Sequence, residues 1–205
     1  MVSNFRQALD EINAIRTQVA RDTQFRGYGP ATIAASGLLA LLVAAVQSAV
    51  YGEDGGFYGF LAVWSATAAA AIALTATETI RRARRVHSGL ANEMLHAAVE
   101  QFLPALIVGL LLTAVMIGTA PGDLWMLPGL WQLLFSLGVF ASCRFLPRQT
   151  IIVGIWYLVA GLTCLVLQSG PRSFSPWTMG IPFGVGQLMV AVVLQYGFER
   201  SSEDA

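Results

Sequence analysis

The chain has 205 residues, of which 56% are hydrophobic and only 12% charged, whereas an ordinary globular domain carries about twice that charge. Its mean hydropathy is +0.63, and its 12 basic residues are balanced by 12 acidic ones, so no global field draws it to nucleic acid or to an acidic partner. The composition excludes an ordinary water-soluble domain and points to a membrane protein.

Residues 3–25 are polar, with apolar side chains at Phe5, Ala8, Ile12, Ile15 and Val19. That spacing predicts one greasy stripe on a helix, with Ser3 as its N-cap. Gly27 and Gly29-Pro30 break the pattern. The expectation is an amphipathic cytoplasmic helix over 1–28, lying on the membrane surface or pairing with another copy, since the same positions fit a short heptad. No short apolar core follows a basic start, so a cleaved signal peptide is not expected.

Apolar spans follow at about 32–51, 57–77, 103–119, 124–145, 151–167 and 177–196. Each is close to the roughly 20 residues that cross about 30 Å of hydrocarbon as a helix. Six crossings are therefore predicted within a transmembrane domain over 29–199, with a polar connector at 78–102 and a polar tail at 200–205. Pro128 lies near the start of the fourth span, where a helix tolerates it best.

All basic residues are arginine, a usage that suggests a GC-rich bacterial genome, and eleven of the twelve fall on one side of the predicted spans. Arg6, Arg16, Arg21 and Arg26 precede the first span, and Arg81, Arg82, Arg84 and Arg85 follow the second. Arg144 and Arg148 flank the joint of the fourth and fifth, and Arg200 follows the sixth. The opposite side has Glu53, Asp54 and Asp123 with Arg172 alone. The positive-inside rule then places the N-terminus, the connector and the C-terminus in the cytoplasm of a bacterial inner membrane. Tyr51, Phe57, Tyr58, Trp125 and Trp177 would form the outer aromatic belt, with Tyr28, Phe145 and Tyr196 at the inner one.

The connector concentrates the polar chemistry. Glu93, His96 and Glu100 stand at i, i+3 and i+7, which puts two carboxylates and an imidazole in one sector of a helix. Glu-x-x-His is the ligand spacing of di-iron bundles, which need it twice, whereas here it occurs once. A second copy, or His87 with Glu78, would have to complete a metal site. Otherwise this is the water-facing side of a helix extension with His96 and Glu100 as an i, i+4 pair. The cluster Arg81, Arg82, Arg84, Arg85 anchors the end of the second helix in anionic headgroups, each arginine contributing about 1 kcal/mol, or recognises a specific lipid or anionic effector.

No Asp, Glu, Arg or His lies near the middle of a predicted span, which argues against a proton- or ion-coupled pump. The polar groups at depth are amides and hydroxyls, which usually bond between helices. Gln132 beside Trp131, and Gln187 beside Gly184 and Gly186, are the pair expected to line an intramembrane pocket for an uncharged ligand, if one exists. The small residues of 65–71 and the pair Gly180-x-x-x-Gly184 allow close helix contact, so the second and sixth spans are predicted to be inner helices. Pro182 among Gly180, Gly184 and Gly186 predicts that the sixth helix bends or begins there. Ile107-Val108-Gly109 and Ile152-Val153-Gly154 each open a similar hairpin, a faint parallel repeat. Cys143 and Cys164 fall at different depths, so they are read as small buried hydrophobes and not as a disulfide. A phosphate loop, His-Glu-x-x-His, Cys-x-x-Cys and Gly-x-Ser-x-Gly are all absent from the sequence.

Through Pro128-Gly129-Leu130-Trp131-Gln132, Ala141-Ser142-Cys143-Arg144-Phe145-Leu146-Pro147, Ile15-Arg16 and Phe25-Arg26-Gly27-Tyr28, the chain resembles uncharacterised bacterial six-span membrane proteins often encoded beside small winged-helix regulators. That resemblance implies the same topology and brings no catalytic, cofactor or binding residues. The expectation is an all-α polytopic protein acting as a non-enzymatic module that senses, scaffolds or regulates. Its partners would be the bilayer and either another copy or a membrane or cytoplasmic protein. Two alternatives stand beside it: a small permease for an uncharged or lipid-like solute using Gln132 and Gln187, and a metal-dependent membrane enzyme using Glu93, His96 and Glu100.

Overall fold

The computed structural model describes residues 30–52, 56–85, 89–143, 149–167 and 174–203, with side chains for all of these except 79, 80, 82–99 and 196–203. The amphipathic helix expected over 1–28 lies outside the described residues. What is described is all-helical, and six helices are long and apolar enough to cross a membrane. They are α1 Pro30–Tyr51, α2 Phe57–Arg85, α3 Gly89–Thr119, α4 Leu127–Ser142, α5 Thr150–Leu167 and α6 Trp177–Glu203.

Local chemistry sets several of the ends. Pro30 opens α1, where its missing N–H costs nothing. Gly52 closes it at φ 67 by donating its N–H to the Ser48 carbonyl at 3.0 Å, a left-handed cap that a side chain would strain. The fourth crossing begins as a 3-10 helix, Pro121–Met126, that runs straight into α4. At about 2.0 Å and 1.5 Å of rise per residue the two pieces together reach roughly 36 Å, enough to cross. α3 starts well before the expected third span and continues through Pro104. α6 likewise starts at Trp177 and runs through Pro182 as one helix, so it does not begin at the glycine-proline segment.

Neighbouring helices pack in the order α2, α1, α6, α5, α4, α3. The first and last helices thus share the most extensive seam. Its cause is steric: a Cβ added at Gly37 would stand 2.9 Å from the Gly184 carbonyl, one at Gly184 would stand 2.5 Å from Leu41, and one at Gly180 would collide with Ala44. Ile33 meets Ala191 and Leu194 at one end of this seam, and Ala40 and Ala44 meet Met179 at the other. Gly180-x-x-x-Gly184 is therefore an inner packing face, as its spacing predicts.

The alanine-rich second helix behaves otherwise. Phe60 and Trp64 of α2 are buried in the α1–α6 cluster, but past Trp64 none of its described side chains is buried. Ala66, Ala68, Ala69 and Ala70 are exposed, which corrects the expectation that 65–71 makes α2 an inner helix. Small side chains permit close approach without driving it, and in lipid the drive must come from packing or interhelical bonds. Buried residues make up 17% of the α2 span and 6% of the α3 span, against 44% for the fourth and sixth crossings. The two hairpins of the suggested repeat also differ in their contacts: Gly109 faces Leu134 across an ordinary 3.6 Å, whereas Gly154 lies hard against the Phe140 ring.

Candidate functional site

Aromatic rings fill the middle of the bundle. Phe135 of α4 stacks edge-on against Phe102 of α3 at 4.9 Å and against Phe183 of α6 at 5.0 Å, and it tilts onto Tyr157 of α5 at 4.6 Å. Such offset and edge-on pairs contribute about 0.5–1.5 kcal/mol beyond the area they bury. Tyr157 is fully buried, and its ring and hydroxyl lie where a side chain at Gly186 would be. Its hydroxyl has no hydrogen-bond partner.

The glutamines of the expected pocket have separate tasks. Pro182 has no N–H, so it leaves the carbonyl of Thr178, four residues earlier in α6, without its helical donor. Gln132, fully buried in α4, donates its Nε2 to that carbonyl at 2.8 Å and sits 3.7 Å from the Cys164 sulfur. The amide repairs the helix that the proline interrupts. Gln187 is half-buried at the α1–α6 seam, its Cβ 3.0 Å from where a Cβ at Gly37 would be. On α6 the two attachment points, Thr178 and Gln187, are about two and a half turns apart and on opposite faces. Gln132 and Gln187 thus make different contacts, one with the backbone of α6 and the other at the α1–α6 seam. Trp131 is half-buried, its Nε1 donating to Thr113 Oγ1 of α3 at 2.9 Å.

Two further bonds cross between helices at depth. Ser136 donates to the Gly154 carbonyl at 2.8 Å, and Trp156 Nε1 donates to the Pro182 carbonyl at 2.9 Å. Together these bonds tie α3, α4, α5 and α6 into one unit. Among the described residues, the polar atoms left buried without a partner are Gln47 Oε1, Trp64 Nε1, Gln132 Oε1 and Tyr157 Oη. Sequence reading missed Trp64 and Tyr157 because an aromatic residue in an apolar span reads as packing. The proline-to-glutamine repair was detectable, since a mid-span Pro always frees the carbonyl four residues back.

The polar connector is largely helical. α2 has 29 residues and α3 has 31, about 44 and 46 Å long, so both outrun a hydrocarbon core of about 30 Å. Only 86–88, which include His87, lie between them and outside the described residues. Glu93, His96 and Glu100 fall on one uninterrupted helix, which gives them the shared face expected from their spacing. Glu100 is exposed, and the side chains of Glu93 and His96 are not among those described. Among the described residues no three His, Cys, Asp or Glu side chains converge as a metal-binding group. Arg81 is exposed, and Arg82, Arg84 and Arg85 occupy the last turn of α2. Cys143 and Cys164 are both thiols, as expected.

These features define a class: an all-helical protein with six helices long and apolar enough to cross a membrane, α3 to α6 cross-tied by hydrogen bonds and α1 packed closely on α6. Comparison with known proteins finds no matching family model, no similar curated protein and no similar solved structure.

Proposed function

We propose that this chain is a non-enzymatic module of a bacterial inner membrane that senses, scaffolds or regulates, with both termini and the 78–102 connector in the cytoplasm. One observation carries the reading. The two least buried spans, α2 and α3, belong to the two longest helices, of 29 and 31 residues, and both continue beyond the length a bilayer needs. Together they form a helical prong that bears Arg81 to Arg85 on one arm and Glu93, His96 and Glu100 on the other. A prong attached to loosely packed helices is suited to meeting a partner and to shifting with it, because few core contacts must break when it moves.

In-cell photocrosslinking tests the reading. A photoreactive residue at Asn92 should give a discrete protein adduct, while one at Gly122 on the opposite face should give none. Equal labelling at both sites, or none at Asn92, would remove the prong as the contact surface.

A further inference from the structure

Two of the buried polar atoms without a hydrogen-bond partner lie on neighbouring helices and are complementary. Trp64 Nε1 of α2 is a donor and Gln47 Oε1 of α1 is an acceptor, and the two residues are only 4% and 5% exposed. An unpaired buried donor or acceptor carries its full desolvation cost, so an arrangement that joined the two atoms would relieve both.

The hairpin brings them close to one level. Ala40 and Ala44 share a cluster with Phe60 and Trp64, and Gln47 follows Ala44 by three residues on the same buried face of α1. Counted from the helix ends at Tyr51 and Phe57, Gln47 lies about 6 Å along α1 and Trp64 about 10 Å along α2. They are less than one helical turn out of level. Helical side chains lean toward the N-terminus of their own helix, so in this antiparallel pair each of the two leans toward the level of the other.

α2 is also the helix with least to hold it in place. Past Trp64 none of its described side chains is buried, and the hydroxyls of Thr67, Thr75 and Thr77 bond back to their own helix, so they do not pin it to α1. At its start, a Cβ added to Gly56 or Gly59 would meet nothing within 4 Å.

We propose that Trp64 and Gln47 are the halves of a conformational latch, open in the conformer described. A shift of α2 along α1 by about 1–2 Å, the scale of helix movements in switching proteins, closes it with Trp64 Nε1 donating to Gln47 Oε1. α2 is one helix from Phe57 to Arg85, so the shift is carried to its far end. The latch deepens the reading of α2 and α3 as a movable prong, and it rests on that reading for what the movement serves.

Nuclear magnetic resonance of the full chain in lipid nanodiscs tests it at two probes. Indole 15N–1H spectra report Trp64, and a fluorine tag on Ala76→Cys, in a Cys143→Ala/Cys164→Ala background, reports α2. Each probe should show two states in the same proportion, the closed one with its indole proton shifted downfield. Gln47→Met, which removes the amide and nearly keeps the volume, should leave one state at both probes, and Trp64→Phe should leave one at the tag.

A single Trp64 state that Gln47→Met does not move would overturn the proposal. So would a Trp64 N–H that exchanges magnetisation with water alike in the unsubstituted chain and in Gln47→Met, which would give the donor to solvent. Two tag states that persist in both variants would also overturn it, while the contact surface would still stand or fall by the crosslinking at Asn92.

Discussion

At the scale of single residues, the arrangement that matters most is a proline and the amide that compensates for it. Pro182 deprives the Thr178 carbonyl of its donor, and Gln132 Nε2 replaces it. Gln132→Leu should lower stability by about 2 kcal/mol, since it removes a buried hydrogen bond between α4 and α6. Unfolding in mixed micelles would measure it. In a Pro182→Ala background the same substitution should cost about 1 kcal/mol less, because the alanine N–H restores the helical bond. Equal costs in both backgrounds would show that the amide serves something else. Tyr157 gives the contrary case: its hydroxyl is buried and unpartnered, so Tyr157→Phe should be neutral or stabilising by up to about 1 kcal/mol in the same assay. The sequence identifies Gln132 as a polar group fit to bond between helices but cannot name its acceptor, because that depends on which carbonyl another helix has orphaned.

At the scale of helices, the same small residues have opposite consequences. On α6, Gly180 and Gly184 meet Ala44 and Leu41 with no room for a side chain. On α2, Ala66, Ala69 and Ala70 are exposed. Gly184→Leu should therefore destabilise the bundle by 2 kcal/mol or more, in the range of over-packed cores (about 1–3 kcal/mol), whereas Ala69→Leu should stay within about 0.5 kcal/mol. Thermal unfolding of the two variants in one detergent separates them. Helix positions were legible from the sequence because burial in lipid requires about 20 apolar residues whatever surrounds them. Which helix is central was not legible, because a run of alanines fits a seam and a lipid face equally well. The helical connector was only half legible: the spacing of Glu93, His96 and Glu100 suggests one face, but no apolar signal carries the helix back from Leu103 through 89–99.

For the whole molecule, the proposed orientation rests on the arginines. Replacing Arg81, Arg82, Arg84 and Arg85 together by glutamine should let part of the population insert inverted, read by labelling a cysteine introduced at Asn92 with an impermeant reagent. Exclusive cytoplasmic labelling in that variant would shift the control of topology to Arg6 through Arg26. The number of crossings followed directly from composition, but the order of helices around the bundle did not, since no sequence pattern says that α1 finds α6. That pairing also bears on biogenesis. α1 is synthesised well before α6, so its glycine notch stays unmatched until α6 has also left the ribosome. A nascent chain halted before Trp177 keeps that notch open and exposes it to chaperones and quality-control proteases.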